Sequence, residues 1–537
     1  MKIIRLWSSW AIVVSLFAFA IALHAQTYSV VYNFGDVFLD AVAPQHSGII
    51  AQGRDGNLYT TTPFGGANDY GAVVRITPAG QATVLYSFNH TDPDEAYPYS
   101  GLTMGADGDF YGTTLGERPN LGGKVFKITS DGQITFLHTF VSGDGQHPFA
   151  PPILAGDGNL YGTTSLGGNS SHGTVYRITP SGQFKTIASL DYKRGYYPRA
   201  PLIMGTDGNL YGTAWEGGTH GTGTVFKVTL KGAISVLRDF DWASGAYPSG
   251  PLVQDNDGNL YGTTDGGGAN GFGTIFQITS ARKFKVLRSL KSSDGEYSAV
   301  GLVLGTDGNL YGSTYGASNN GMLFRISPAG EFSVIHGFDM THGGHPDVTM
   351  TQHTTGILYG DTTSGGVHGY GTFYSLDANL AAYAKLVPNA AKTGSTVGIL
   401  GQGLNSATAV SFNGKAAPFT IVSDTFLTAT VPNGATTGLA KVTLAGNSLS
   451  SYRNFQVIPV ITSFSPGSGP VGTQVTITGV SLSQTAMVEF GSLAAGFTVN
   501  NDKQVTAIVP ANAKSAKITI TTAGGTAVSS ASFTVTP

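Results

Sequence analysis

Three acidic residues break an otherwise repetitive sequence. Glu117 and Glu216 each follow a stretch close to LYGTT, where other copies carry glycine, aspartate or nothing charged. Asp361 sits in LYGDTTSGG and reads as an extra residue, because other copies read LYGTT and run on. An added residue inside a strand implies a bulge, and a bulge can re-aim a side chain at a site. Two carboxyl groups facing each other across a cleft can hydrolyse a glycosidic bond. The sequence does not place Asp361 near Glu216, and drift between copies accounts for all three acids without chemistry.

His172, His220 and His368 occupy similar glycine-rich segments of different copies. Converging, they could hold a metal, but no two histidines have the spacing of a paired ligand set. The recurring Asp-Gly, most of all in DNDGN at 255–259, resembles part of a calcium loop. A full loop needs several alternating carboxylates and usually a distal Glu, which are missing here. A hairpin turn needs only positive φ, which Asp-Gly supplies. One copy has Thr355–Gly356, keeping the glycine without the acid, so turn geometry is the better account. The chain has no cysteine, hence no disulfide, thiolate ligand or cysteine nucleophile. G-x-S-x-G, H-E-x-x-H and phosphate-loop motifs are absent as well. No metal and no cofactor is expected.

The other chemistry-bearing residues are aromatic, and their meaning depends on the elements that carry them. LY tyrosines recur at 59, 111, 161, 211, 261, 311 and 359, which is seven copies of one unit. Around Tyr211 the unit reads as four strands: PLIMG (201–205), NLYGTAW (209–215), GTVFKVT (223–229) and ISVLRDF (234–240). Four strands per copy and seven copies predict an all-β chain with a seven-bladed β-propeller. A fourth-type strand at 29–34 precedes the first copy, and the last copy lacks one. Residues 29–34 should therefore complete the last blade and remove an open sheet edge. The propeller is expected to span 26–378.

In such a disc the turns between strands one and two, and between three and four, share one face. The loops between strands two and three share the other face with the blade-to-blade crossings. The first set is monotonous here; the second varies and is rich in aromatics and histidine. Function tends to sit in loops held by a rigid scaffold, so the second face is the expected site. Tyr97, His147, Tyr197, Tyr247, Tyr297 and His345 hold one recurring position in the crossings, with Ala43 in the first. An aromatic repeated in every blade is expected to wedge between neighbours. The off-pattern aromatics Tyr70, Tyr99, Phe149, Tyr196, Trp242, Phe272 and Tyr370 are the expected ligand-binding residues, although any one could be an isolated surface aromatic.

The first 25 residues read as a signal peptide, with Lys2 and Arg5 before an apolar run from Leu6 to Leu23. An uncleaved anchor is the alternative. No other long apolar run exists, so no membrane span is expected after cleavage, and the mature chain should be secreted, periplasmic or at the cell surface. The formal net charge is −3 and no lysine- or arginine-rich block occurs, which argues against a nucleic-acid partner. A monomer is expected.

A second self-similarity follows the repeats. YAKLVPNAAKTGSTVGILGQGL (383–404) parallels VITSFSPGSGPVGTQVTITGVSL (460–482), giving two units at 379–458 and 459–537 with the strand pattern of β-sandwiches. Through VPNAAKTGSTVGILGQGL and SFSPGSGPVGTQVTITG these units resemble IPT/TIG domains. That resemblance implies an immunoglobulin-like fold and a role as spacer, docking module or binding accessory. The repeats resemble the GloVer-type tandem repeat of exported bacterial proteins, through strings such as LIMGTDGNLYGTA (202–214) followed by GTVFKVT (223–229). This implies an architecture and an exported setting, but no reaction. The leading expectation is a non-catalytic binding or adhesion protein whose partner is an extracellular glycan or a cell-surface protein. A propeller lyase or glycosidase using Asp361, Glu216 or Glu117 is the alternative. A structural cell-envelope protein without a ligand is the third.

Overall fold

The computed structural model describes residues 26–35, 41–42, 49–116, 122–297, 300–316 and 319–537. The expected leader at 1–25, Ala43 and Glu117 lie outside them.

The repeats form seven four-stranded antiparallel sheets. In the copy around Tyr211 the strands are Ile203–Met204, Leu210–Ala214, Thr224–Val228 and Ile234–Asp239, in that order across the sheet. The second strand is buried throughout, and the fourth is partly exposed. Side chains alternate between the two faces of a strand, so the LY pair serves two neighbours. Leu210 packs with Tyr161 and Val175 of the preceding sheet, and Tyr211 packs with Leu260 and Phe276 of the following one. Seven such apolar clusters join neighbouring sheets in turn, and the last, containing Tyr359 and Leu58, joins the seventh sheet to the first. The sheets thus close into a ring. Gly212 of LYGT is needed for this packing, since a Cβ there would lie 2.7 Å from the Phe226 ring.

The N-terminal strand Thr27–Asn33 pairs antiparallel with Thr372–Asp377, as the strand count predicted. Tyr28 fixes this closure. Its ring stacks on His336 at 3.8 Å, and its hydroxyl donates to the His342 carbonyl at 2.6 Å.

The Asp-Gly segments and their Thr355–Gly356 counterpart are turns, with φ of +74° at Gly208 and +100° at Gly356. The aspartate has a second role that turn geometry alone does not explain. Tyr211 Oη donates to Asp207 at 2.8 Å, and the same bond joins Tyr59 to Asp55, Tyr161 to Asp157 and Tyr311 to Asp307. In DNDGN it is Asp255, not Asp257, that accepts from Tyr261. Each acid ties the turn to the tyrosine that packs against the next sheet.

Two β-sandwiches follow. The first opposes the sheet of Lys385–Val387, Thr396–Leu400, Phe426–Thr430 and Phe419–Ser423 to that of Lys415–Ala417, Ala407–Phe412, Ala440–Leu444 and Ser448–Ser450. The second repeats the plan over a core containing Val475, Ile477, Val488 and Ile520. The first sandwich does not hang from the ring as a free spacer. It packs on the Asp-Gly turn face. Phe426 lies under the Arg54 guanidinium at 4.4 Å, Thr425 Oγ1 donates to the Arg54 carbonyl at 2.6 Å, and Tyr383 Oη donates to the Gln352 carbonyl at 2.7 Å. Asn256 Nδ2 donates to the Tyr452 carbonyl at 2.8 Å. The monotonous face is a docking surface for the first sandwich.

Candidate functional site

The innermost strands of neighbouring sheets lie side by side, as the parallel bridges of Ile49 to Gly101 and to Thr349 show. Each is entered from a crossing on the variable face. The recurring crossing residue has left-handed backbone, with φ of +61° at Tyr97, +62° at Tyr197 and +56° at His345. Such values are uncommon outside glycine, and tertiary bonds hold them. The Tyr247 amide donates to the Thr222 carbonyl of the preceding sheet's loop at 2.8 Å, and the Tyr247 carbonyl accepts from the Asp265 amide at 3.1 Å. The recurring residue therefore bridges two sheets, as a wedge would.

The residue two places later faces the mouth of the central channel. In the crossings where this place is described it is Tyr99, Phe149, Arg199, Ser249 and Asp347. A second circle is formed where the second strands end, by Pro63, Leu115, Ser165, Trp215, Asp265, Tyr315 and Thr363. These two circles divide the mouth into halves. On one side Tyr99 lies 6.3 Å from Phe149, and Phe149 lies 6.5 Å from Tyr197. The Arg199 guanidinium stands over Phe149, Tyr197 and Trp215 at 5.4, 4.8 and 4.3 Å. Trp215 continues to Tyr247 at 5.2 Å. Burial lowers the Arg199 pKa, while Tyr197, Glu216 and Asp265 oppose that shift.

The other side is acidic. Burial, and then the charge of Asp347, push the Asp265 carboxyl up to about 6, against the pull of Arg199. Among the described residues no hydrogen bond or ion pair holds the Asp265 carboxylate. Asp361 is fully buried, and among the described residues neither carboxyl oxygen has a hydrogen-bond partner. Burial and Asp347 raise its pKa well above the ordinary value. The Asp347 charge also raises the Tyr315 hydroxyl, after burial.

Asp361 does not sit in a bulge. It pairs directly with Phe373 in an unbroken register, at the place of Thr163, which pairs with Val175. LYGDTTSGG has the same length as LYGTTSLGG, so the acid is a substitution and not an insertion. In other sheets the hydroxyl at this place reaches the next crossing. Thr213 Oγ1 donates to the Gly250 carbonyl at 3.1 Å and Thr263 Oγ1 to the Val300 carbonyl at 2.8 Å. Glu216 lies three sheets away, where its backbone bridges Tyr196 and its charge acts on Arg199. The structure does not bring Asp361 and Glu216 together. The histidines do not converge either. His172 meets Tyr192 and Tyr196 edge-on, and His220 faces Asp239 at 3.8 Å. Among the described residues no three His, Asp or Glu side chains are grouped to hold a metal ion.

Of the aromatics expected to bind, Tyr99 and Phe149 meet at the mouth. Tyr196 extends from it, 5.1 Å from Tyr197 and 6.2 Å from Tyr192. Trp242 is 54% exposed and lies 6.2 Å from Tyr247, on the rim beyond Trp215. The other three have partners outside the arc, although Tyr70 also lies 5.8 Å from Tyr97. Tyr70 stacks on His90, Phe272 packs on Tyr297, and Tyr370 covers Gly35. Sequence reasoning missed Arg199, Trp215, Asp265 and Asp347. Aligning the crossings would have found Arg199 and Asp347, which share the place of Tyr99 and Phe149, and aligning the ends of the second strands would have found Trp215 and Asp265.

Models of the Gloeobacter/Verrucomicrobia repeat match at 16–205, 103–317 and 157–374, together more than half of the chain. The chain belongs to this repeat family. IPT/TIG domain models match at 384–457 and 459–536, over the two sandwiches. No curated protein matches the sequence. Solved structures give distant likenesses to this repeat-family chain. They include a fungal alcohol oxidase of the AA5 family in complex with copper, at 13% identity and a TM-score of 0.44 over 95% of this chain and 99% of that one. TolB from Acinetobacter baumannii is 16% identical, with a TM-score of 0.34 over 53% of this chain and 64% of its own. Surface glycan-binding protein PbSGBP-B from Prevotella bryantii is 20% identical, with a TM-score of 0.22 over 27% and 38%. Among the described residues of this family member, no helix is long and apolar enough to cross a membrane.

Proposed function

We propose that this protein is an exported, non-catalytic carbohydrate-binding protein that holds a glycan at the channel mouth of its variable face. The observation that carries this is the arc of Tyr99, Phe149, Tyr197 and Trp215 around Arg199, opposite Asp265. Aromatic faces offer large contact area to the apolar faces of sugar rings, while a guanidinium and carboxylates supply hydrogen bonds to hydroxyls. A concave site with few, fixed polar groups is the usual form of a ligand site. The docked tail supports the same orientation, since it occupies the turn face and leaves the mouth outward. The hydrolase reading finds no support in the pair Asp361 and Glu216, since one acts beside Asp347 and the other beside Arg199.

The test is a glycan array probed with the full chain lacking residues 1–25, followed by calorimetry on the hits. Trp215→Ala and Phe149→Ala should each weaken binding about tenfold, which is about 1.4 kcal/mol. Retention of full affinity by both variants would refute the mouth as the site. Product release from a bound polysaccharide would refute the non-catalytic reading.

A further inference from the structure

We propose that the cleft between the turn face of the ring and the two sandwiches is a second binding site, for a small organic molecule that bears carboxylate groups. It lies away from the channel mouth and does not depend on the glycan-binding reading.

Three units wall this cleft. The turns of the third and fourth sheets form one side. There a Cβ on Gly156 would lie 2.7 Å from Ala390 Cβ and 2.9 Å from Ile458 Cδ1, so the ring and the first sandwich touch at the floor. The second sandwich closes the outer end, where a Cβ on Gly208 would come within 4.0 Å of Gly525. Thr437 fixes the two sandwiches to each other. Its amide donates to Gln484 Oε1 at 2.8 Å, and its carbonyl accepts from Gln484 Nε2 at 3.1 Å. Between the three units remains a cavity of about 680 Å³. A smaller one of about 70 Å³ adjoins it and shares Gly156, Met204, Ala390 and Gln456 with it. Small-molecule sites commonly have about 300–1,000 Å³ and lie where domains meet.

Gln456 is the side chain that calls for a ligand. It is only 7% exposed and lines both cavities. Its strand, Gln456–Val457, pairs with Ala390–Ala391, which holds it at the floor. Among the described residues its side-chain amide has no hydrogen-bond partner. A buried amide is costly unless it is bonded.

Charge sets the class of ligand. The acids that line the two cavities are already taken. Asp157 accepts from Tyr161 and Asn159, Asp207 from Tyr211, Asn209 and Lys227, and Asp255 from Tyr261 and Asn259. The cations are not. Among the described residues the side chains of Arg453, Lys231 and Lys392 have neither an ion-pair nor a hydrogen-bond partner. Arg453 borders the smaller cavity, with its Nε buried and unbonded. Lys231 of the ring and Lys392 of the first sandwich border the larger one. A guanidinium fork matches a carboxylate, and an amide such as Gln456 can donate to a further oxygen. The walls between these groups include aliphatic Met204, Leu230, Ile458 and Val528. Leu230 and Val528 are 38% and 39% exposed, which leaves apolar surface for the body of a ligand. An aliphatic dicarboxylate and a short uronate both carry the group that the cations read.

Calorimetry on the full chain at pH 7 and moderate salt tests this. The probes are suberate, digalacturonate and the neutral dimethyl ester of each. At least one of the two acids should bind one to one, at least tenfold more tightly than its ester. Binding of suberate alone would assign an aliphatic body, and of digalacturonate alone a sugar body. Arg453→Met should weaken the acid at least tenfold, and Lys392→Ala and Lys231→Ala about threefold each. Both lysines are exposed and unbonded among the described residues, so these two variants should keep the urea midpoint of the wild type. Lys514→Ala removes an exposed lysine outside the cleft and should leave binding unchanged. Silence of both acids, or esters that bind as well as the acids, overturns the inference. So does full affinity in Lys392→Ala and Lys231→Ala together, or an equal loss in Lys514→Ala.

Discussion

The Arg199 guanidinium lies over the Trp215 ring at 4.3 Å and over the Tyr197 ring at 4.8 Å. Stacking between a guanidinium and desolvated aromatic faces is worth about 0.5–2 kcal/mol, and it holds the edge of the guanidinium in one orientation. Arg199→Lys keeps the charge and loses the planar stack. The expected result is a loss of glycan affinity of roughly three- to tenfold with little change in unfolding midpoint, measured by calorimetry and urea titration on the same preparations.

Asp361 offers a test on stability. Other sheets place threonine there, or serine at Ser313, and Thr213 and Thr263 bond to the next crossing, while the acid is buried without a hydrogen bond among the described residues. Asp361→Thr should raise the stability of the ring by about 1–3 kcal/mol, the usual cost of an unsatisfied buried polar group. A urea unfolding curve shifted to lower midpoint would contradict this.

Lys385, on the first strand of the tail, gives a pH dependence. Burial first, and the charge of Arg453 second, lower its pKa from 10.5 to about 8 in the folded chain. The folded state thus disfavours the ammonium. Below about 8 both states are protonated and the penalty is fully present; above that the unfolded chain binds the extra proton, so stability rises with pH. The shift corresponds to a penalty of up to about 3 kcal/mol at pH 7. Lys385→Met should raise the thermal midpoint at pH 7 and flatten the rise between about pH 8 and 9.5. An unchanged slope in that window would show that Lys385 is not its source.

Tyr211→Phe removes the hydroxyl that donates to Asp207 at 2.8 Å and keeps the ring against the next sheet. Asp207 retains Lys227 at 2.6 Å and Asn209 at 2.9 Å. Burial raises this carboxyl, but those hydrogen bonds outweigh it and keep its pKa below the ordinary value. The expected cost is about 1 kcal/mol. Tyr211→Ala should cost about 3–5 kcal/mol, because a large aromatic leaves a core cluster. Equal costs for the two variants would mean that the ring contributes nothing beyond its hydroxyl.

The sequence by itself determined the repeat, the strand order within a unit, the closure by the N-terminal strand and the two sandwiches behind the ring. These follow from local signals. Alternation in LY assigns one side chain to each neighbour, Asp-Gly fixes a turn, and a missing fourth strand in the last copy demands the strand at the start. Tertiary structure alone decided which variable residues meet. Tyr99, Arg199 and Asp347 are 100 and 148 residues apart in sequence, and only the ring's rotation brings their columns to one mouth. It also decided which acids matter. Glu216 and Asp361 look alike as departures from a repeat, but one lies by Arg199 and the other is buried beside Asp347. The docking of the tail on the turn face was equally out of reach. It depends on Arg54, Thr425 and Phe426, whose contact across hundreds of residues no periodicity records.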